Sequence, residues 1–298
     1  MPFPEPETLL LEIAGRRSHV SCWGDPAAPP LLLIHGIRDN SRSWDWVANA
    51  LADRYRIYAP DLRGHGNSDW AAAHGYTLAE FGMDLYDIVK ALQLDRVAVV
   101  GHSFGGHLAL RFAACWPELT SAVSGIECTE LPIVRDERAA PKTHPERMRA
   151  WMETVRSSRD RQARNYPSIA DAAARMQQEQ PDIDPATIGN LARHALSTNP
   201  DGSLRWKFDQ ATRLRPPDDA NGRNMDQMLA AIECPVQLFY GTASWVPLPP
   251  AERVALLRNL SLVTIPDVSH WLHHQARDRY ITELSSFLAD HHKGTSHS

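Results

Sequence analysis

The stretch VAVVGHSFGG, Val97 to Gly106, joins a continuously apolar run to a turn of small residues and then to the helical pattern GGHLALRFAACW. Within it, Gly101-His102-Ser103-Phe104-Gly105 has the form G-x-S-x-G. A strand that passes into a helix through so few residues needs a strained turn, and the small neighbours permit one. That turn holds the Ser103 hydroxyl clear of the strand end with a helix N-terminus beneath it. The alternative is a glycine-rich turn whose serine merely caps the helix. A nucleophilic serine is the reading that the strand and helix together favour.

Around this stretch, short apolar runs alternate with helical patterns. TLLLEI, HVSCW, LLLIHG, RIYAP, SAVSGIE, PVQLFYG and LVTIP each fit a strand. Several are apolar throughout, as strands buried on both faces of a parallel sheet must be. Amphipathic stretches such as TLAEFGMDLYDIVKALQL and ARDRYITELSSFLADHH separate them. Strand and helix in alternation predict a doubly wound α/β sheet.

One region departs from this rhythm. Residues 131–230 carry little strand signal but several helical stretches, PERMRAWMETVRSSRDRQARNY, SIADAAARMQQEQ and PATIGNLARHALS, punctuated by proline. The region holds 16 Lys and Arg against 14 Asp and Glu, whereas the remainder is acidic. It is expected to be a helical cap inserted into a core made of residues 1–130 and 231–298. Its arginines read mainly as a solvated face, with an arginine reaching into a substrate pocket as the lesser reading.

On these residues the chain resembles the α/β-hydrolase superfamily over nearly all of its length outside the insertion. The resemblance implies an eight-stranded, mostly parallel sheet with a helical cap after strand six. LLLIHGIRDNSRSWDWV looks like the family's HG oxyanion loop, so the backbone N–H groups of Ile37 and Phe104 would receive a developing oxyanion. DLRGHGNSD, Asp61 to Asp69, is similar to a structural loop of the family. IPDVSHWLHH places His270 where the family has its general base, the alternative being a polar loop histidine. His273 and His274 complete an H-x-x-H-H pattern that invites a metal. With no acidic or cysteine ligand nearby, and no need for a metal in serine hydrolysis, none is expected. The remaining histidines, including His291, His292 and His297, read as solvated.

The acid of the triad is displaced. In FYGTASW, Phe239 to Trp245, the family's usual aspartate position holds Ser244, and no carboxylate occurs from Gly241 to Pro250. SAVSGIECTE offers Glu127 and Glu130 at the end of the strand after the nucleophile helix. The chain resembles, at this point, the subset of the superfamily that includes many haloalkane dehalogenases and some lactone hydrolases, whose acid lies there. Laid on that pattern, Glu127 is the match and Glu130 the alternative. Neighbouring strand ends open on one crevice, so either can reach the same histidine. Dehalogenases use an aspartate nucleophile with halide-holding side chains, where this chain has Ser103, Ile37 and Phe104. Halide and epoxide chemistry are therefore not expected.

The resemblance implies a serine hydrolase of the carboxylesterase or lactonase type, acting on a small-molecule ester or lactone through an acyl-enzyme. No cofactor is implied. The same apparatus serves a thioester, an amide, a C–C bond or acyl transfer, and some proteins of the fold are non-catalytic receptors. Trp151 and Trp206 in the cap, and Trp245, are the candidate pocket walls, with cap core as the even alternative for the first two. A net charge of −5 argues against a nucleic-acid partner. The amino-terminal residues lack a signal-peptide pattern, and no run reaches the ~18 apolar residues of a membrane span. Four widely spaced cysteines read as reduced thiols. The expectation is a cytoplasmic monomer or homodimer.

Overall fold

A computed structural model of the chain describes residues 4–71, 75–132, 134, 142–158, 163–219 and 222–292. Ten strands are present among them: β1 Glu7–Ile13, β2 Arg16–Trp23, β3 Pro30–Ile34, β4 Arg56–Pro60, β5 Val97–His102, β6 Thr120–Ile126, β7 Leu196–Thr198, β8 Leu204–Trp206, β9 Val236–Gly241 and β10 Leu260–Ile265. Eight of them form one sheet in the order β1-β2-β4-β3-β5-β6-β9-β10. Pairing is antiparallel at β1–β2 and β2–β4 and parallel across the rest. These eight strands are the eight apolar runs of the sequence.

Ten α-helices accompany them among the described residues: α1 Asp45–Leu51, α2 Leu78–Ala91, α3 Phe104–Cys115, α4 His144–Ser158, α5 Ile169–Glu179, α6 Pro185–Ala195, α7 Gly222–Ala231, α8 Ala251–Val254, α9 Leu272–Gln275 and α10 Arg277–His291. The strand period of two divides the core cleanly. Leu32 and Ile34 of β3 face a layer holding Phe81 and Leu85 of α2, Leu108 and Phe112 of α3, and Met225 and Leu229 of α7. Leu31 and Leu33 face the opposite layer, with Val47 and Leu51 of α1 and Tyr280, Leu284 and Phe287 of α10. Both faces of the sheet are therefore covered. That is why β3, β5 and β6 carry no polar side chain on either side apart from small serines, a threonine and the terminal His102.

Between β6 and β9 the chain makes an excursion carrying α4 to α7. Sequence periodicity expects a helix from Pro145 to Tyr166, and α4 ends at Ser158, with residues 159–162 outside those described. The excursion also contains the β7–β8 hairpin, which periodicity misses because strands of three residues show no alternation. Tyr166 bridges Leu204 and packs with Ala172, Leu196 and Trp206 in a small core of its own. Asp209 ties it to the sheet domain, accepting from the Tyr76 hydroxyl at 2.7 Å and donating its N–H to Gly64 O at 2.8 Å.

Most of the histidines correct the sequence reading, while His291 is exposed as expected. His19, His35, His65, His102, His107, His273, His274 and His292 are all buried. His292 bonds the Ser121 hydroxyl at 2.7 Å and stacks on Tyr55, while His297 lies outside the described residues. All four cysteines are free, and Cys115 alone of them is exposed. No described helix is long and apolar enough to cross a membrane.

Candidate active site

Five neighbouring strand ends supply the site. β3 leads into Gly36 and Ile37, β5 into Ser103, β6 into Glu127, β9 into the loop of Ser244, and β10 into the loop of His270. Parallel register aligns them, with His102 opposite Ile126, Ile126 opposite Phe239, and Gly241 opposite Ile265. Their side chains therefore meet in one crevice at the carboxyl edge of the sheet.

Ser103 sits at φ 52°, ψ −113°, a region that residues with a Cβ rarely enter. The surroundings hold it there: its N–H donates to Ile126 O at 2.8 Å, and its carbonyl accepts from His107 N at 2.9 Å. The turn is as tight as it is because of two glycines. A Cβ on Gly101 would lie 2.4 Å from the Gly105 carbonyl, and one on Gly105 would lie 2.2 Å from Ile34 O. The Ser103 side chain makes no capping hydrogen bond with the helix it precedes. Phe104 is the first residue of α3, so its N–H has no carbonyl four residues back to receive it.

The opposing loop is fixed by His35. Leu62 N donates to its Nε2 at 3.0 Å, so the ring proton is on Nδ1, which donates to Gly36 O at 2.7 Å. Gly36 passes so close to His102 that a Cβ would fall 2.8 Å from its Nδ1. Asp61 secures the same region from below, accepting from Ser41 N at 2.7 Å and Asn67 N at 2.8 Å. Burial works to raise its pKa, but the bond and charge of His19 and the Asn67 amide outweigh it and hold it to about 2.

Glu127 also has positive φ, 47°, and its backbone N–H is anchored on Phe239 O at 3.0 Å. Its carboxylate is fully buried and receives three donors. Gly241 N reaches Oε1 at 2.8 Å, while the Ser244 hydroxyl and His270 Nδ1 both reach Oε2 at 2.6 Å. A carboxylate accepts, so His270 carries its proton on Nδ1 and leaves Nε2 as the acceptor. Glu130 is engaged elsewhere, taking Arg253 at 3.0 Å. The structure thus joins His270 to Glu127, and Ser244 to both through one oxygen.

The His270 backbone is held too, its carbonyl accepting from His102 Nε2 at 3.1 Å. Burial first, then the neighbouring His270 and His274 rings, drives the His102 pKa far down, so this ring stays neutral. His273 and His274 lie behind it, their rings 4.0 Å apart and buried in the same way. Among the described residues no group of three or more His, Cys, Asp or Glu is arranged to hold a metal ion.

Above these residues lies a cavity of about 740 Å³, lined by Ile37, Ser103, Glu127 and His270 below and by Met176, Leu191, Trp206 and Leu214 of the excursion above. Trp245 lines it as well, its ring 4.6 Å from that of His270. Trp151 does not line it. Its indole N–H instead donates to Leu214 O at 3.0 Å, fastening α4 to the segment behind the wall.

Residues 31–283 match the sequence profile described as the alpha/beta hydrolase family. Among curated proteins, uncharacterized proteins of Mycobacterium bovis and Mycobacterium tuberculosis are 45% identical over 93 residues, 31% of this chain but 27% of theirs. The match thus spans about a quarter of those relatives. A 3-hydroxybutyrate-oligomer hydrolase of Cupriavidus necator is 26% identical over 260 residues, covering 83% of this chain and 85% of that protein. Among solved structures, a thioesterase domain from the curacin biosynthetic pathway superposes with a TM-score of 0.83 at 26% identity, covering 95% of this chain and 100% of that one.

Proposed function

The chain belongs to the alpha/beta hydrolase family, and we propose that it is a serine hydrolase that cleaves a small carboxylic ester or lactone through an acyl-enzyme. His270 Nε2 takes the proton of the Ser103 hydroxyl as it attacks the acyl carbon. The oxyanion collects the N–H groups of Ile37 and Phe104, which are fixed before the substrate arrives. The imidazolium that forms is stabilised by Glu127 across the 2.6 Å contact at Nδ1. Protonation of the leaving oxygen by His270 releases the alcohol, and a water activated by the same ring frees the acid. Residues 131–230 act as the cap that shapes the acyl and alcohol pockets.

The observation that carries this reading is the Glu127–His270 pair, placed at the floor of a cavity that Ser103 also lines. A positive-φ serine that does not cap its helix supports it. The name of the Cupriavidus relative, a hydrolase of 3-hydroxybutyrate oligomers, agrees with it. A thioester is the second reading, favoured by the likeness to the curacin thioesterase domain.

The test is labelling with a fluorophosphonate followed by a screen of esters, lactones and thioesters graded by acyl size. Mass spectrometry should place one adduct on Ser103. An adduct elsewhere, or none on folded protein, would overturn the reading.

A further inference from the structure

The cavity wall contains charge that the hydrolytic mechanism does not use. Five arginines line it: Arg38, Arg164, Arg175, Arg205 and Arg213. The lining carboxylates are largely committed. Glu127 holds His270, Glu130 holds Arg253, Asp209 accepts from Tyr76, and Glu179 is ion-paired with Arg175 at 2.8 Å. Asp39, the fifth, has its pKa raised by burial, which favours its neutral form.

Arg175 is spent on Glu179; of the other four, Arg38 and Arg213 are the two whose charges act on each other. Among the described residues neither guanidinium has a hydrogen-bonded or ion-paired carboxylate; Arg38 lies 5.5 Å over the Phe208 ring. Arg38 directly follows the oxyanion residue Ile37, and Arg213 comes from the excursion across the cavity. Arg38 is half-buried, and Arg213 keeps a larger share of its surface in contact with solvent. Burial lowers the pKa of each, that of Arg213 to about 10; the charge of Arg38 lowers Arg213 further, while Glu179, whose carboxylate contacts Arg175, offsets part of the shift in both. Two like charges facing one space repel, and an anion that enters between them relieves the repulsion. A guanidinium presents its donors as a planar fork that fits the two oxygens of a carboxylate.

We propose that the cavity takes a substrate bearing a carboxylate away from the scissile bond, and that Arg38 and Arg213 together grip that carboxylate. The proposal rests on the serine-hydrolase reading for the bond that breaks, but not for the binding of the acid. The substrate is thus a half-ester or ester-linked acid, and hydrolysis of the half-ester releases a dicarboxylate. Arg38 sets the acid on the oxyanion-loop side, so the distance from scissile carbonyl to carboxylate is a selected length.

Two measurements test this on the full chain. The first compares kcat/KM for p-nitrophenyl half-esters of the dicarboxylic acids from succinate to suberate with that for the neutral p-nitrophenyl alkanoates of equal carbon number. One half-ester length should be preferred over its neutral match, and Arg213→Gln should cut that preference at least tenfold, with Arg213→Lys retaining part of it. Arg38→Gln should do the same, and Arg213, remote from the oxyanion loop, keeps the test sound if the Arg38 change disturbs that loop. The second measures binding of the free dicarboxylates and their diamides to Ser103→Ala by calorimetry. If no ester is hydrolysed but a dicarboxylate binds and Arg213→Gln weakens it at least tenfold, the serine-hydrolase reading falls and the carboxylate site stands. Equal handling of charged and neutral esters, or dicarboxylates that bind no better than their diamides, overturns the proposal.

Discussion

The Ser244 hydroxyl donates to Glu127 Oε2 at 2.6 Å, the same oxygen that receives His270 Nδ1. The serine at the loop position where relatives resembling this chain carry an aspartate is thus not vacant space. It is a hydrogen-bond donor to an acid that projects from the adjacent strand end. Because β6 and β9 are neighbours, with Ile126 opposite Phe239, either strand can deliver an oxygen to one imidazole. Ser244 also accepts from Val246 N at 3.1 Å, which orients its own proton toward the carboxylate.

Ser244→Ala removes one of three donors to Glu127 and is expected to lower kcat/KM roughly tenfold, the scale of a hydrogen bond to a charged group. Ser244→Asp sets a second carboxylate against the first and should cost more. In a Glu127→Gln background the same aspartate faces a neutral amide, and part of the activity should return. Steady-state kinetics on the four variants checks this. A Ser244→Ala loss as large as that of Glu127→Gln would contradict the donor role.

The buried histidines predict a steep acid limit to stability. Burial is the first cause of depression at His65, His107 and His274, each brought to about 3, and at His102 and His273, which are held well below the usual imidazole value. Between about pH 6.5 and 3 these rings are neutral in the folded chain and charged in the unfolded one, so the unfolded state binds more protons. Stability is therefore full above 6.5 and is lost as the pH falls through that window. Urea titrations at pH 7 and pH 5 should differ strongly, with roughly four to five protons taken up on unfolding at pH 5. Equal stability at the two values would contradict the burial of these rings.

The two tryptophans of the excursion between β6 and β9 should separate by phenotype. Trp206 lines the cavity and donates to the Tyr166 hydroxyl at 3.1 Å, so Trp206→Ala should reorder a panel of ester substrates as well as loosen the hairpin. Trp151 binds the Leu214 carbonyl from behind the wall, so Trp151→Ala should lower the melting temperature while the ranking is kept. Thermal melts and the substrate panel decide between these outcomes. A reordered ranking for Trp151→Ala alone would contradict the assignment of the wall.

The central strands β3 and β5 were legible because full burial leaves the runs LLLI and VAVV with no polar member. The turn at Ser103 was legible because only glycines allow Gly101 and Gly105 to approach within contact of each other's backbone. The β7–β8 hairpin was not, since three-residue strands carry no period, and neither was the burial of the histidines. A histidine's type says nothing of solvation when its partner is a backbone carbonyl, as for His102 and His107. The sequence put Glu127 first as the partner of His270, with Glu130 as the alternative. The ion pair of Glu130 with Arg253 separates them, and it joins residues 123 positions apart, a distance no local pattern reports.

The central claim is that Glu127 empowers Ser103 through His270. The direct measurement is the rate of fluorophosphonate labelling at Ser103 in the native chain, in Glu127→Gln and in Glu130→Gln, followed by mass spectrometry, which needs no knowledge of the substrate. The glutamine keeps the shape but replaces a two-oxygen acceptor and removes the charge that supports the imidazolium. Loss of a triad acid typically costs ~10⁴-fold in turnover, and labelling of Glu127→Gln is expected to slow by roughly 10³-fold or more. Glu130→Gln should label within a few fold of the native chain. Rapid labelling of Glu127→Gln, or a Glu130→Gln variant slowed as much, would contradict the account.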